Sequence, residues 1–193
     1  MASLQSSFRS HVIHQSLAAN ASNGISEAVS TLNHQLYRHT SADKFATLVL
    51  ARIDVQDLSL TYCNAGHNPP LLVSNDSVSR LSKGGIVAGI FANPEYEEER
   101  IPLQEGAVLT FYTDGVVEAE SPQGDQFGEE QLEELVKTNA FLTADDIRAL
   151  ILDEVSDWME GREQRDDITV VTLKVDWPSV PIMVRHFFPT KLD

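Results

Sequence analysis

Two apolar, β-branched runs, each abutting acidic residues, constrain this chain more than any other feature. Val108-Leu109-Thr110-Phe111-Tyr112 leads into Thr113-Asp114-Gly115, and about fifty residues later Asp166-Asp167 leads into Ile168-Thr169-Val170-Val171-Thr172-Leu173. Continuous apolar character in the first run suits a buried strand, and Gly115 permits an abrupt backbone turn directly behind a carboxylate. If the two strands are antiparallel neighbours, the end of one and the start of the other meet at one edge of a sheet. Asp114 and Asp166 then become a candidate pair of oxygen ligands, a donor set that selects Mg²⁺ or Mn²⁺ over softer metals. Either Asp alone reads equally as a turn former or helix cap.

The remaining pattern supplies helices and more strands. Leu4, Phe8, Val12, Ile13 and Leu17 recur at near-helical spacing, and Ile25, Val29, Leu32, Leu36 and Tyr37 repeat it after a break near Asn20–Gly24. Phe45–Asp54 and Leu58–Asn64 flank the polar Asp54–Asp57 connection and predict a hairpin, with Pro69–Val73 extending the meander. Tyr96–Leu103 and Ala107–Thr113 flank the turn composition Gln104-Glu105-Gly106. Gly124–Gly128 precedes a helix bearing Leu132, Leu135 and Val136. Thr143 reads as the N-cap of another, with Asp146 in its first turn and an apolar stripe of Ile147, Leu150, Ile151, Val155 and Trp158. Ile168–Val175 is the final strand. Two helices, about five strands, two helices and a strand argue for an α+β layered fold.

A length of 193 residues suits one domain with short extensions. The boundary falls after a domain spanning residues 1–175, with 176–193 as a proline-bearing tail. A formal charge of −15 opposes binding to nucleic acid or to an anionic membrane, and no Lys/Arg cluster offsets it. Cys63 is the only cysteine, so neither a disulfide within the chain nor a thiolate zinc cage can form, and a reducing cytoplasm is the natural compartment. The first residues lack the apolar stretch of a signal peptide, and no segment reaches membrane-spanning length.

His67, beside Gly66 and Pro69-Pro70, reads as a residue that shapes a tightly fixed turn in preference to a general acid. Cys63 reads as buried beside the Asn64 turn. Gly84-Gly85 lacks the Lys-Ser/Thr ending of a phosphate loop and reads as a turn. Glu95, Glu97, Glu98 and Glu99 read as the solvated edge of a strand.

The order of motifs, from Phe45-Ala46-Thr47-Leu48 through Asn64-Ala65-Gly66-His67-Asn68-Pro69-Pro70, Gly84-Gly85, Tyr112-Thr113-Asp114-Gly115-Val116-Val117-Glu118-Ala119 and Phe127-Gly128 to Asp166-Asp167-Ile168-Thr169, resembles the metal-dependent protein serine/threonine phosphatases of type 2C, in their bacterial SpoIIE-like or RsbU-like branch. The resemblance implies a four-layer α-β-β-α sandwich of two antiparallel sheets and a centre of two Mn²⁺ or Mg²⁺ ions that hydrolyses phosphoserine or phosphothreonine. It implies Asp114 and Asp166 as metal ligands and catalytic residues, with Gly115, Asp167, Asn64, Gly66 and His67 shaping the site. The implied substrate is a phosphoprotein of the anti-sigma-factor antagonist type, under control of an upstream sensor domain or regulatory protein. The family's early Asp-x-Ser-Gly motif has no counterpart in Met1–Phe45. By the resemblance, the chain is expected to start inside the family's first helix, without its first strands and without at least one metal-bridging Asp. The alternative function is a catalytically incomplete domain that binds partner proteins as a regulatory module.

Overall fold

Residues 48–65 carry the alternation and turn chemistry of a hairpin, and the computed structural model, which describes residues 24–39 and 44–176, shows one. Strand β1 (Leu48–Asp54) pairs antiparallel with β2 (Ser59–Ala65), in register from Leu48 opposite Ala65 to Asp54 opposite Ser59. The polar turn between them is held by Asp54 Oδ1, which accepts the Gln56 N–H at 2.9 Å. Every residue of β2 is buried, because it is the centre of its sheet. The amphipathic helix α1 (Ile25–His39) covers that sheet with its apolar stripe. Ile25 and Val29 pack with Cys63 and Ala65, flanked by Leu48, Leu50 and Tyr96. At about 1.5–3 kcal/mol for each fully buried aliphatic side chain, this contact is the main stabilising term of the helix. Asn33 is also fully buried on α1, satisfied by donating to Phe91 O at 3.0 Å and accepting from Gly89 N at 2.8 Å.

The chain forms two compact units. Among the described residues the first comprises 24–39, 44–69 and 81–102, and β5 (Gly84–Gly85) and β6 (Glu99–Pro102) complete its sheet, parallel and antiparallel to β2 respectively. The second comprises residues 70–80 and, among the described residues, 103–176. Its sheet is wholly antiparallel, in the order β4 (Ser77–Arg80), β3 (Leu71–Ser74), β7 (Val108–Tyr112) and β8 (Val170–Lys174). One face of that sheet carries Leu71, Val73, Val108 and Tyr112 into a core with Leu132 and Val136 of α3 (Glu129–Thr138) and Ile147, Ile151 and Val155 of α4 (Ala144–Met159). Between β7 and α3 lies the single turn α2 (Asp114–Val117). Phe127 meets Trp158 edge-on, with ring centroids 5.9 Å apart, and the indole N–H donates to Asp125 O at 3.1 Å.

Several expectations are revised. Residues 71–74 do not extend the first meander: β3 leaves that sheet and pairs with β4 and β7. The β3–β4 hairpin turns at Asn75-Asp76, both at positive φ (49° and 60°), as the shortest hairpin loops require. Residues 104–106 form the expected turn, Ala107 N donating to Gln104 O at 3.1 Å, but it closes no hairpin, since β6 and β7 belong to different sheets. Instead Gly106 N donates to Val175 O at 2.8 Å, which extends the β7–β8 ladder. Gly84-Gly85 is a two-residue strand paired with β2, where a Cβ at Gly84 would strike the Asn64 backbone and one at Gly85 the Glu95 carbonyl. Glu99 is more than a solvated edge, because the buried Tyr62 donates its hydroxyl to it at 2.5 Å. The first predicted helix and residues 177–193 lie outside the described residues.

Candidate functional site

β7 and β8 are antiparallel neighbours, in register from Val108 opposite Lys174 to Tyr112 opposite Val170. The residue after Tyr112 and those before Val170 therefore emerge at the same end of the sheet. Thr113 fastens them. Its N–H donates to Thr169 O at 3.1 Å, and its hydroxyl donates to Asp167 O at 2.8 Å and accepts from Thr169 N at 2.9 Å. Gly115 allows the closest approach: a Cβ there would lie 2.7 Å from Asp167 O and 3.2 Å from Asp166 O. Any side chain at this position would push the two loops apart.

Asp114 opens α2, and its Oδ1 accepts the Gly115 N–H at 2.9 Å. Asp166 matches it, with Oδ1 accepting the Asp167 N–H at 2.8 Å. Both side chains belong to exposed residues, and neither pairs with a cation among the described residues. Two carboxylates, each with an oxygen left over, suit a hard cation that keeps several waters. They fit in kind and remain few in number: among the described residues no group of three or more His, Cys, Asp or Glu side chains could hold a metal ion. Asp167 acts here through its backbone, whose carbonyl receives the Thr113 hydroxyl.

Asn64, Gly66 and His67 lie in the first unit. Asn64 is buried and clamps its own turn: Oδ1 accepts the His67 N–H at 2.8 Å, and Nδ2 donates to His67 O at 2.9 Å and to Leu81 O at 3.3 Å. Gly66 holds φ +70° with its Cα against Val87, where a Cβ would lie 2.4 Å from Val87 Cγ1. His67 Nδ1 is 3.2 Å from Thr47 Oγ1. Cys63 is fully buried, and burial pushes its thiol up to about 11, with a smaller contribution from the Glu98 charge. A thiol so shielded is a poor nucleophile at neutral pH.

Beside Gly115 and Asp166, a cleft of about 160 Å³ opens between the α2 turn and the loop that follows α4. Arg162 and Arg165 line it and converge on Glu120. Sequence reasoning missed Thr113 as a fastener and this arginine pair altogether.

The family model described as Stage II sporulation protein E (SpoIIE) matches residues 1–176. The chain belongs to the SpoIIE family. Among SpoIIE relatives, protein IcfG of Synechocystis sp. is 32% identical over 136 residues, covering 70% of this chain and 21% of IcfG. Phosphoserine phosphatase RsbU of Bacillus subtilis is 25% identical over 152 residues, covering 77% of this chain and 44% of RsbU. The chain thus spans less than half the length of either relative. The SiaA-PP2C domain of Pseudomonas aeruginosa superposes with a TM-score of 0.76 at 18% identity, covering 86% of this chain and 66% of that one. The phosphatase domain of SpoIIE from Bacillus subtilis, presoaked with Mn, superposes at 0.61 with 22% identity, covering 87% and 74%. These likenesses establish the fold: α+β, with two mostly antiparallel sheets and helices, as in type 2C phosphatase domains. No helix among the described residues is long and apolar enough to cross a membrane.

Proposed function

We propose that this chain is a metal-dependent phosphatase that hydrolyses phosphoserine or phosphothreonine in a regulatory phosphoprotein, with Asp114 and Asp166 as the residues that hold Mn²⁺ or Mg²⁺. The observation that carries the reading is the juxtaposition of the Asp114 turn and the Asp166-Asp167 loop by Thr113 and Gly115. Support also comes from the phosphoserine phosphatase RsbU among the relatives and from the Mn-presoaked structure among the neighbours. When bound, the metal would acidify a water and neutralise phosphate oxygens. Asp114 and Asp166 would supply its anionic ligands, each with one oxygen committed to a backbone N–H and the other available. Thr113 holds the two loops in register, and Gly115 keeps them in contact. The site so described needs no covalent phosphoenzyme.

The domain proposed to do this spans residues 1–175, with 176–193 as a tail, and acts in the cytoplasm. Its substrate is of the anti-sigma-factor antagonist type, and a sensor domain or regulatory protein controls it. A second reading, in which the chain only docks a partner protein, is favoured by one observation, the absence of a third ligand among the described residues.

Hydrolysis of para-nitrophenyl phosphate with and without Mn²⁺, paired with Mn²⁺ titration followed by electron paramagnetic resonance, separates the two. Loss of a group that merely orients a ligand costs about 10–100-fold, so Asp114→Asn, which removes a ligand, is expected to lower Mn²⁺-dependent turnover by about 100-fold or more. Wild-type protein that neither binds Mn²⁺ nor turns over would leave only the docking function.

A further inference from the structure

We propose that the cleft beside Asp166 is a phosphoserine subsite in which the Arg165 guanidinium binds the substrate's phosphoryl group, with Arg162 and Glu120 positioning it. The proposal rests on the phosphatase reading and names a substrate contact for that site.

The chain carries 14 Lys and Arg residues against 29 Asp and Glu, so two arginines converging on one carboxylate at the edge of the candidate centre stand apart from their acidic surroundings. The two play different parts. Arg162 is anchored, its Nη1 donating to Ser121 O at 2.5 Å and lying 3.4 Å from Glu120 Oε2. Arg165 pairs through Nη1 with the other Glu120 oxygen and makes no other hydrogen bond among the described residues, and its side chain is 70% exposed against 39% for Arg162. Arg165 therefore presents most of a five-donor fork to the cleft. An exposed ion pair of this kind is worth about 0–1 kcal/mol, so a phosphate dianion can displace or share it by forming a bidentate, charge-assisted contact.

Size and charge narrow the ligand. The cleft volume of about 160 Å³ lies well below the roughly 300–1,000 Å³ of sites for whole small molecules. It suits one phosphorylated side chain of a protein. Glu118, Glu163 and Asp166 also line it, so without a bound cation the cleft is net negative. Phosphate binding is thus expected only with Mn²⁺ present.

The test is fluorescence anisotropy of a labelled phosphoserine peptide and its unphosphorylated twin, titrated with the full chain with and without Mn²⁺. The wild type is expected to prefer the phosphopeptide only with Mn²⁺. Arg165→Ala should weaken phosphopeptide binding about tenfold or more, the scale of a lost hydrogen bond to a charged group, and leave the unphosphorylated peptide unchanged. Arg165→Lys, which keeps the charge and loses the fork, should fall between. Equal phosphopeptide affinity for wild type and Arg165→Ala overturns the subsite, as does equal weakening of both peptides or a wild type that does not discriminate them. An unchanged urea midpoint in both variants shows that folding is not the cause. Turnover of para-nitrophenyl phosphate is read separately. Wild-type turnover with an indifferent Arg165→Ala sinks the subsite and spares the phosphatase reading. Discrimination lost in Arg165→Ala, in a wild type that never turns over, sinks the phosphatase reading and leaves a phosphopeptide-binding site.

Discussion

A threonine hydroxyl can donate once and accept twice, and Thr113 uses it in both directions, toward Asp167 O and from Thr169 N. Valine has the same shape and neither capability. Thr113→Val leaves two backbone groups to find water at an exposed edge, so the stability cost should sit near the lower end for lost hydrogen bonds, about 1–2 kcal/mol. Its larger effect should fall on Mn²⁺: looser placement of Asp166 relative to Asp114 is expected to weaken binding about tenfold, with Thr113→Ser recovering most of it. A Thr113→Val protein with wild-type Mn²⁺ affinity by electron paramagnetic resonance would remove Thr113 from the site. Asp114 and Asp166 stood out in the sequence because each abuts an apolar run, a local signal. Thr113 and Arg165 did not, since the groups they bond lie 54 and 56 positions away for Thr113 and 45 for Arg165. Only the β7–β8 register and the course of the loop after α4 select those partners.

At the level of elements, local chemistry that decides an element also made it legible. The N-cap of α4 is the clearest instance: Asp146 N donates to Thr143 Oγ1 at 3.1 Å, and the Thr143 hydroxyl donates back to Asp146 Oδ2 at 2.7 Å. Thr143→Ala removes both and is expected to cost about 1 kcal/mol, seen as a lower urea midpoint with an unchanged slope. A midpoint within error of wild type would mean that packing of Ile147, Ile151 and Val155 alone holds the first turn. The hairpin of β1 and β2 and helices α1, α3 and α4 were all readable from periodicity and turn residues. Partner choice was not: β3 follows β2 by a short connection yet pairs in the other sheet, and β6 precedes β7 without pairing with it. Strand pairing is decided by which faces bury together, and alternation within one strand does not specify that partner. The four-residue β4 and two-residue β5 are too short to carry a period.

Across the whole molecule, both units bury weak acids that must stay protonated. In the first, burial pushes Cys63 up to about 11, and Tyr62 is raised further by burial and by its hydrogen bond to the Glu99 carboxylate. In the second, burial pushes Tyr112 up to about 12, aided by the charge of Glu129. Each group has a higher pKa folded than unfolded, so the unfolded chain releases its proton first as pH rises. The contribution to stability is complete below the unfolded values of 9.0 for Cys63 and 10.0 for Tyr112, and it is lost as pH climbs toward the folded ones. Stability should therefore show no loss from these groups between about pH 7 and 9, then fall, first through the thiol and above about pH 10 through the tyrosines as well. Urea midpoints measured from about pH 7 to 11 check this. Cys63→Ala is expected to start lower, from the lost packing, and to stay flat to about pH 10, where the wild type has already begun to decline. A wild-type midpoint that holds level through the top of that range would mean that the native state opens enough to hydrate Cys63, and the β2 core would then be looser than its complete burial indicates.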